Sequence, residues 1–138
     1  MTLMPKRVKH RKQMRGKLRG LATRCNRVEF GEWGIQALES GFITDRQIEA
    51  ARVALNRGMG GSGKVWLRIF PQTPVTKQPN ETRMGKGKGE VDHWAARVRT
   101  GTVLYELSDV TEEMAKAAFN RQAHKFPIRV RLVKRRHV

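Results

Sequence analysis

The residues that most invite a chemical reading are Gly58-Met59-Gly60-Gly61-Ser62-Gly63-Lys64-Val65. Their spacing matches a phosphate-binding loop up to its last position, where Val65 replaces the Ser or Thr that would hold magnesium. Gly58, Gly60 and Gly63 also satisfy the dinucleotide glycine fingerprint. Both arrangements present a helix N-terminus to the phosphates, so a strand must precede the glycines and a helix must follow them. Here the apolar spacing predicts the reverse order, helix first and strand second. The stretch therefore reads as a flexible, basic connection, and a nucleotide-dependent enzyme built on it is the weakest functional reading. The remaining reactive side chains do no better. His10, His93, His124 and His137 are dispersed and, with Cys25 the single cysteine, give no metal-ligand spacing. Ser40, Ser62 and Ser108 have no nucleophile context. No enzyme, metal or cofactor is expected.

A second glycine-rich stretch supports a different chemistry. In Arg83-Met84-Gly85-Lys86-Gly87-Lys88-Gly89 the glycines let the backbone approach a crowded surface, while Arg83, Lys86 and Lys88 can meet phosphates. Met84 can pack against a base or a sugar. In isolation the segment is a solvated loop. It coexists, however, with a basic arm at residues 1–27, where Lys6, Arg7, Lys9, His10, Arg11, Lys12, Arg15, Lys17 and Arg19 are followed by Arg24 and Arg27. No acid precedes Glu29, and the chain carries a formal net charge of +17. Such an arm repels itself and calls for a polyanion, of which nucleic acid releases the most counterions on neutralisation. A membrane surface is disfavoured because Leu3, Met4, Val8, Met14, Leu18 and Leu21 form no apolar stripe. Lys134-Arg135-Arg136 adds a basic tail, and Arg97, Arg99, Arg129 and Arg131 extend the basic footprint.

These groups must be carried by a scaffold, and residues 28–138 read as one α+β domain with mostly antiparallel strands. Val28-Glu29-Phe30 and Ile35 to Leu38 read as short strands broken at Gly31 and Gly34. Thr44 is placed to cap a helix, with Gln47 at capping-box spacing, Ile48, Ala51 and Leu55 on one stripe, and Gly58 as its stop. Lys64 to Phe70 is a strand ended by Pro71. Residues 71–93 show no apolar periodicity and read as one long functional loop. Trp94 to Arg99 and Val103 to Leu107 read as a hairpin turning at Thr100-Gly101-Thr102. A second helix starts at Thr111 with a stripe of Ala115, Phe119, Gln122 and Phe126, closed by Pro127. Ile128, Val130 and Leu132 form a last strand. Trp33, Trp66 and Trp94 are assigned to the core. Hydrophobic residues amount to 38%, below the usual globular share, so part of the chain is expected to need a partner to order it. The lone cysteine excludes an internal disulfide and fits a reducing compartment, where Cys25 reads as an incidental thiol. Neither a secretory signal nor a membrane-spanning run is visible, so a soluble protein is expected.

Several stretches carry a resemblance: Met4-Pro5-Lys6-Arg7-Val8-Lys9, Phe30 to Leu38, Ile43 to Arg52, Gly63-Lys64-Val65-Trp66, Ile69-Phe70-Pro71, Lys77-Gln78-Pro79, Thr82 to Gly89, and His124 to Ile128. In this order they resemble the bacterial-type large-subunit ribosomal protein sixteen family (L-sixteen, universally uL-sixteen), collinearly over nearly the whole chain. The resemblance implies an α/β-hammerhead fold and binding to large-subunit (23S-type) rRNA near the base of the central protuberance. It further implies that the arm from Lys6 to Arg19 threads into RNA among neighbouring ribosomal proteins. Arg83, Met84, Lys86 and Lys88 would then approach the peptidyl-transferase region and the A-site and P-site tRNAs. The chain departs from the family pattern at Gly58 to Gly61, where relatives carry more basic residues. A structural ribosomal component is the leading reading, and a free-standing RNA-binding module is the alternative. The bacterial cytoplasm is the leading location, with plastid and mitochondrial ribosomes left open.

Overall fold

Thr44 opens the first helix as its spacing predicts. Its hydroxyl accepts the Gln47 backbone N–H at 3.3 Å, and the Gln47 side chain accepts the Thr44 backbone N–H at 3.0 Å. This reciprocal pair satisfies two donors that the open helix end would leave bare. The computed structural model describes residues 3–136, so the first two arm residues and His137 lie outside the described residues. The element order is β1 Trp33–Ala37, β2 Gly41–Thr44, α1 Asp45–Gly58, β3 Lys64–Leu67, β4 Thr73–Lys77, β5 Glu90–Val98, β6 Val103–Ser108, α2 Glu112–Ala123 and β7 Val130–Lys134.

Two sheets result, ordered β3-β6-β1-β7 and β2-β5-β4, and every strand pair named is antiparallel. The α+β class is as expected. One apolar cluster joins them: Ile35 and Tyr105 from the first sheet, Ile43 and Val98 from the second, Leu55 of α1 and Ala118 of α2. The Tyr105 hydroxyl donates to the Ile48 carbonyl at 2.6 Å and ties the first sheet to α1. Gly58 has a different role from the helix stop expected of it. It is the last residue of α1, and Met59 is the cap. A Cβ at Gly58 would lie 2.5 Å from the Ala118 Cα, so the glycine lets the two helices touch backbone to backbone.

Several other expectations are corrected. Val28-Glu29-Phe30 is not a strand, and Gly34 lies inside β1 rather than breaking it. β2 was not expected at all. β3 ends at Leu67 rather than Phe70, and α2 ends at Ala123 rather than at Pro127, with Ala118 fully buried beside Phe119, which packs partly buried against the core. The long loop of 71–93 also shrinks. Its start forms β4 and its end the beginning of β5, paired from Thr73↔Ala95 to Lys77↔Glu90. Pro74 concealed β4, but β4 is the edge of its sheet, where a missing N–H need not cost a ladder bond. The expected β5–β6 hairpin does not form either. At Thr100-Gly101-Thr102 the chain leaves the second sheet and joins the first, with Gly101 N–H donating to the Ala37 carbonyl at 2.8 Å and Ala37 N–H to the Thr102 carbonyl at 2.8 Å. Trp33 is core as expected, whereas Trp66 and Trp94 are only half-buried.

Candidate nucleic-acid interface

Because β4 and β5 pair, residues 78–89 are the tip of a β-hairpin rather than a slack insertion. The Gln78 side chain donates to the Gly87 carbonyl at 2.9 Å and closes the base of the tip. Gly85 and Gly87 have φ of 110° and 96°, and Lys86 between them has φ 61°. Glycine is needed here for backbone conformation, since nothing lies within 4 Å of where a Cβ would stand on either. The turn leaves Arg83, Lys86 and Lys88 exposed, with Met84 98% exposed at the tip. So exposed an apolar side chain buries almost nothing against the rest of the chain.

The arm has no helix or strand over residues 3–20, and Lys6, Arg7, Lys9, His10, Arg11, Lys12, Arg15, Lys17 and Arg19 are all exposed. It nevertheless follows a defined course. Leu3 packs against the core cluster, and the Arg15 guanidinium lies 5.9 Å from the centroid of the Phe42 ring. Further on, the Ala22 N–H donates to the Thr100 carbonyl at 2.9 Å and the Val103 N–H to the Cys25 carbonyl at 2.7 Å. Between these points arm and loop meet. Lys12 Nζ donates to the Lys88 carbonyl at 3.0 Å, and Lys88 Nζ donates to the Gln13 carbonyl at 2.7 Å. Lys12 also lies 3.5 Å from Glu90, an exposed pair of little energetic weight. The two basic segments that the sequence separates by some seventy positions thus share one surface beside the second sheet.

Of the arginines expected to extend this footprint, Arg97 and Arg99 are exposed at the end of that sheet and in the turn after it. Arg129 and Arg131 belong to the other sheet's edge. The Arg129 guanidinium is bound to Glu39, and this hydrogen bond holds the Glu39 carboxyl below its ordinary range. The nucleotide-loop lookalike has the element order that the sequence implies. It follows α1, precedes β3, and closes on itself through the Ser62 hydroxyl, which donates to the Met59 carbonyl at 2.7 Å. Among the described residues no three His, Cys, Asp or Glu stand together to hold a metal.

A model of the family described as ribosomal protein L16p/L10e matches residues 5–133, a span that takes in the arm, both sheets and the hairpin tip. The chain belongs to that family. It is 58% identical over 136 residues to the large ribosomal subunit protein uL16 of Rhodopirellula baltica, covering 99% of each chain. It is 56% identical over 135 residues to the protein of that name from Protochlamydia amoebophila, covering 98% of this chain and 97% of the relative. A third uL16, from a Sulfurihydrogenibium species, is 56% identical over 132 residues, 96% of each chain. The family read from the sequence is therefore the family found. It is a family of structural proteins in which RNA binding is typical, and the chain is not an enzyme.

Within this family scaffold the residue reading missed one buried group. Glu106 of β6 is 0% exposed. Its Oε2 accepts the backbone N–H groups of Glu29 at 3.1 Å, Phe30 at 2.6 Å and Gly31 at 2.9 Å, while Oε1 accepts from Arg68. A fully buried carboxylate survives only with such partners. Here it pins the segment that joins arm to domain. Arg68 in turn lies 4.8 Å from the Phe30 ring centroid and 3.4 Å from Glu29. Cys25 sits beside this cluster, where burial pushes its thiol up in pKa despite the opposing Arg68 charge. The available signal was a glutamate in the otherwise apolar run Val103 to Leu107.

Proposed function

We propose that the chain is a structural constituent of the large ribosomal subunit that binds large-subunit rRNA through residues 6–19 of the arm and through the hairpin tip. Residues 1–27 act as the RNA-binding arm, and residues 28–138 as the single domain that carries the tip. Arg83, Met84, Lys86 and Lys88 reach toward the A-site tRNA, and the P-site tRNA beside it, near the peptidyl-transferase centre. The place of action is the ribosome of the bacterial cytoplasm, among neighbouring ribosomal proteins.

The supporting observation is the tie between Lys12, Gln13 and Lys88. It gathers exposed cations from two distant segments onto one surface, where the arm supplies no acid and the tip only Glu81. Phosphate contacts from such a surface position a protein on RNA without reading sequence. Co-sedimentation with large subunits in high salt tests the reading. A structural constituent stays with the subunit after washing, whereas a free-standing RNA-binding module is released into the supernatant, and that release would contradict the proposal.

A further inference from the structure

β1 points Trp33, Ile35 and Ala37 into the core, so Gln36 opens on the other face of the first sheet, opposite Arg131 of β7. The Gln36 Oε1 accepts from Arg131 Nε at 3.0 Å and from Arg131 Nη2 at 2.7 Å. Its Nε2 donates to the carbonyls of Gly101 at 2.8 Å and Asn26 at 3.3 Å. The amide is thus committed on both sides, holding the arginine fork against the point where the arm enters the domain. A carboxylate is the ordinary partner for such a fork, and it would cancel the charge. An amide orients the guanidinium and leaves its full charge, with Nη1 and one Nη2 hydrogen free to donate.

Around this pair lies a cleft of about 440 Å³ whose charged lining is Arg27, Arg131, Lys134 and Arg136, with no carboxylate in it. Among the described residues none of the four makes an ion pair, whereas Arg129 nearby is bound to Glu39. Lys134 turns its ammonium to the face of Trp33, 5.4 Å from that ring's centroid, so the charge of the cleft is that of the three arginines. Three unneutralised arginines converging on one cleft oppose each other unless an anion enters. The cleft lies on the β7 edge of the first sheet, and the arm–tip surface lies beside the second.

We propose that this cleft is a second RNA site, separate from residues 6–19 of the arm and from the hairpin tip, that takes backbone phosphates of an rRNA segment. Gln36 is its positioning residue. The proposal rests on the rRNA-binding reading above, and its test separates the two. Affinity of the full chain for a large-subunit rRNA transcript is measured against salt concentration. The wild type should show a steep dependence, and a wild type without one removes the rRNA-binding reading and the cleft with it. Arg131→Gln/Arg136→Gln, both exposed and checked for native melting, should lower the log–log slope by roughly one to two, at somewhat under one per phosphate neutralised. Gln36→Glu, which supplies the missing carboxylate, should lower it by about one while every cation is kept. An unchanged slope in both variants overturns the proposal. Location is read in assembled subunits from hydroxyl-radical cleavage by an iron chelate on a Cys25→Ser background. Asn26→Cys should cut an rRNA tract different from that cut from Met84→Cys. No cleavage from Asn26→Cys, or the same tract from both, also overturns it.

Discussion

Glu106 carries the sharpest residue-scale consequence. It accepts three backbone N–H groups and Arg68, and the three N–H groups cannot turn to water without lifting residues 29–31, the strap over β6, off that strand. Replacing such a pair by apolar residues can be nearly neutral, but removing one partner leaves the other buried and uncompensated. Glu106→Ala should therefore cost about 3–5 kcal/mol in urea unfolding. Arg68→Met leaves the Glu106 carboxylate with its three backbone donors, so it should cost less. Equal, sub-kilocalorie losses for both would show that the cluster does not hold the strap. At this scale the exposed cations were legible in the sequence, because charge density needs no knowledge of the fold. Glu106 was not, since a lone acid in a strand pattern ordinarily faces solvent.

At the scale of elements, local signals were legible wherever local chemistry settles them. The Thr44–Gln47 capping box and the Thr111 cap needed no tertiary information, and both stand where the sequence placed them. Long-range pairing was less legible. A hairpin was expected between β5 and β6 because they are adjacent in sequence, yet β6 pairs with β1 and β3 while β5 pairs with β2 and β4. The Pro74 and Thr76 positions hid β4 because an edge strand half-open to solvent need not alternate. Gly58 shows the same limit, since its role depends on α2 rather than on its own helix. Gly58→Ala should thus destabilise the domain by about 1–3 kcal/mol through overpacking, although alanine favours an isolated helix. A melting temperature at or above that of the parent would show that the helices can separate without penalty.

For the whole molecule, the proposed function assigns stability and binding to different parts of the chain. The apolar cluster lies between the two sheets and the helices, and the basic arm and hairpin tip contribute little to it beyond Leu3. Removing residues 1–19 should leave a folded domain whose rRNA affinity is weaker and less salt-dependent, the log–log slope falling by somewhat under one unit for each phosphate no longer neutralised. An unchanged slope would mean that the arm does not touch RNA. The tip offers the most direct test of the central claim, because its charges can be deleted without touching the core. Arg83, Lys86 and Lys88 are replaced together by alanine, and the rate of aminoacyl-tRNA accommodation is measured in subunits that have incorporated the variant. With the fold and incorporation preserved, accommodation should slow for all elongator tRNAs alike, since phosphate contacts carry no sequence information. Accommodation at the parental rate in those subunits would contradict the account.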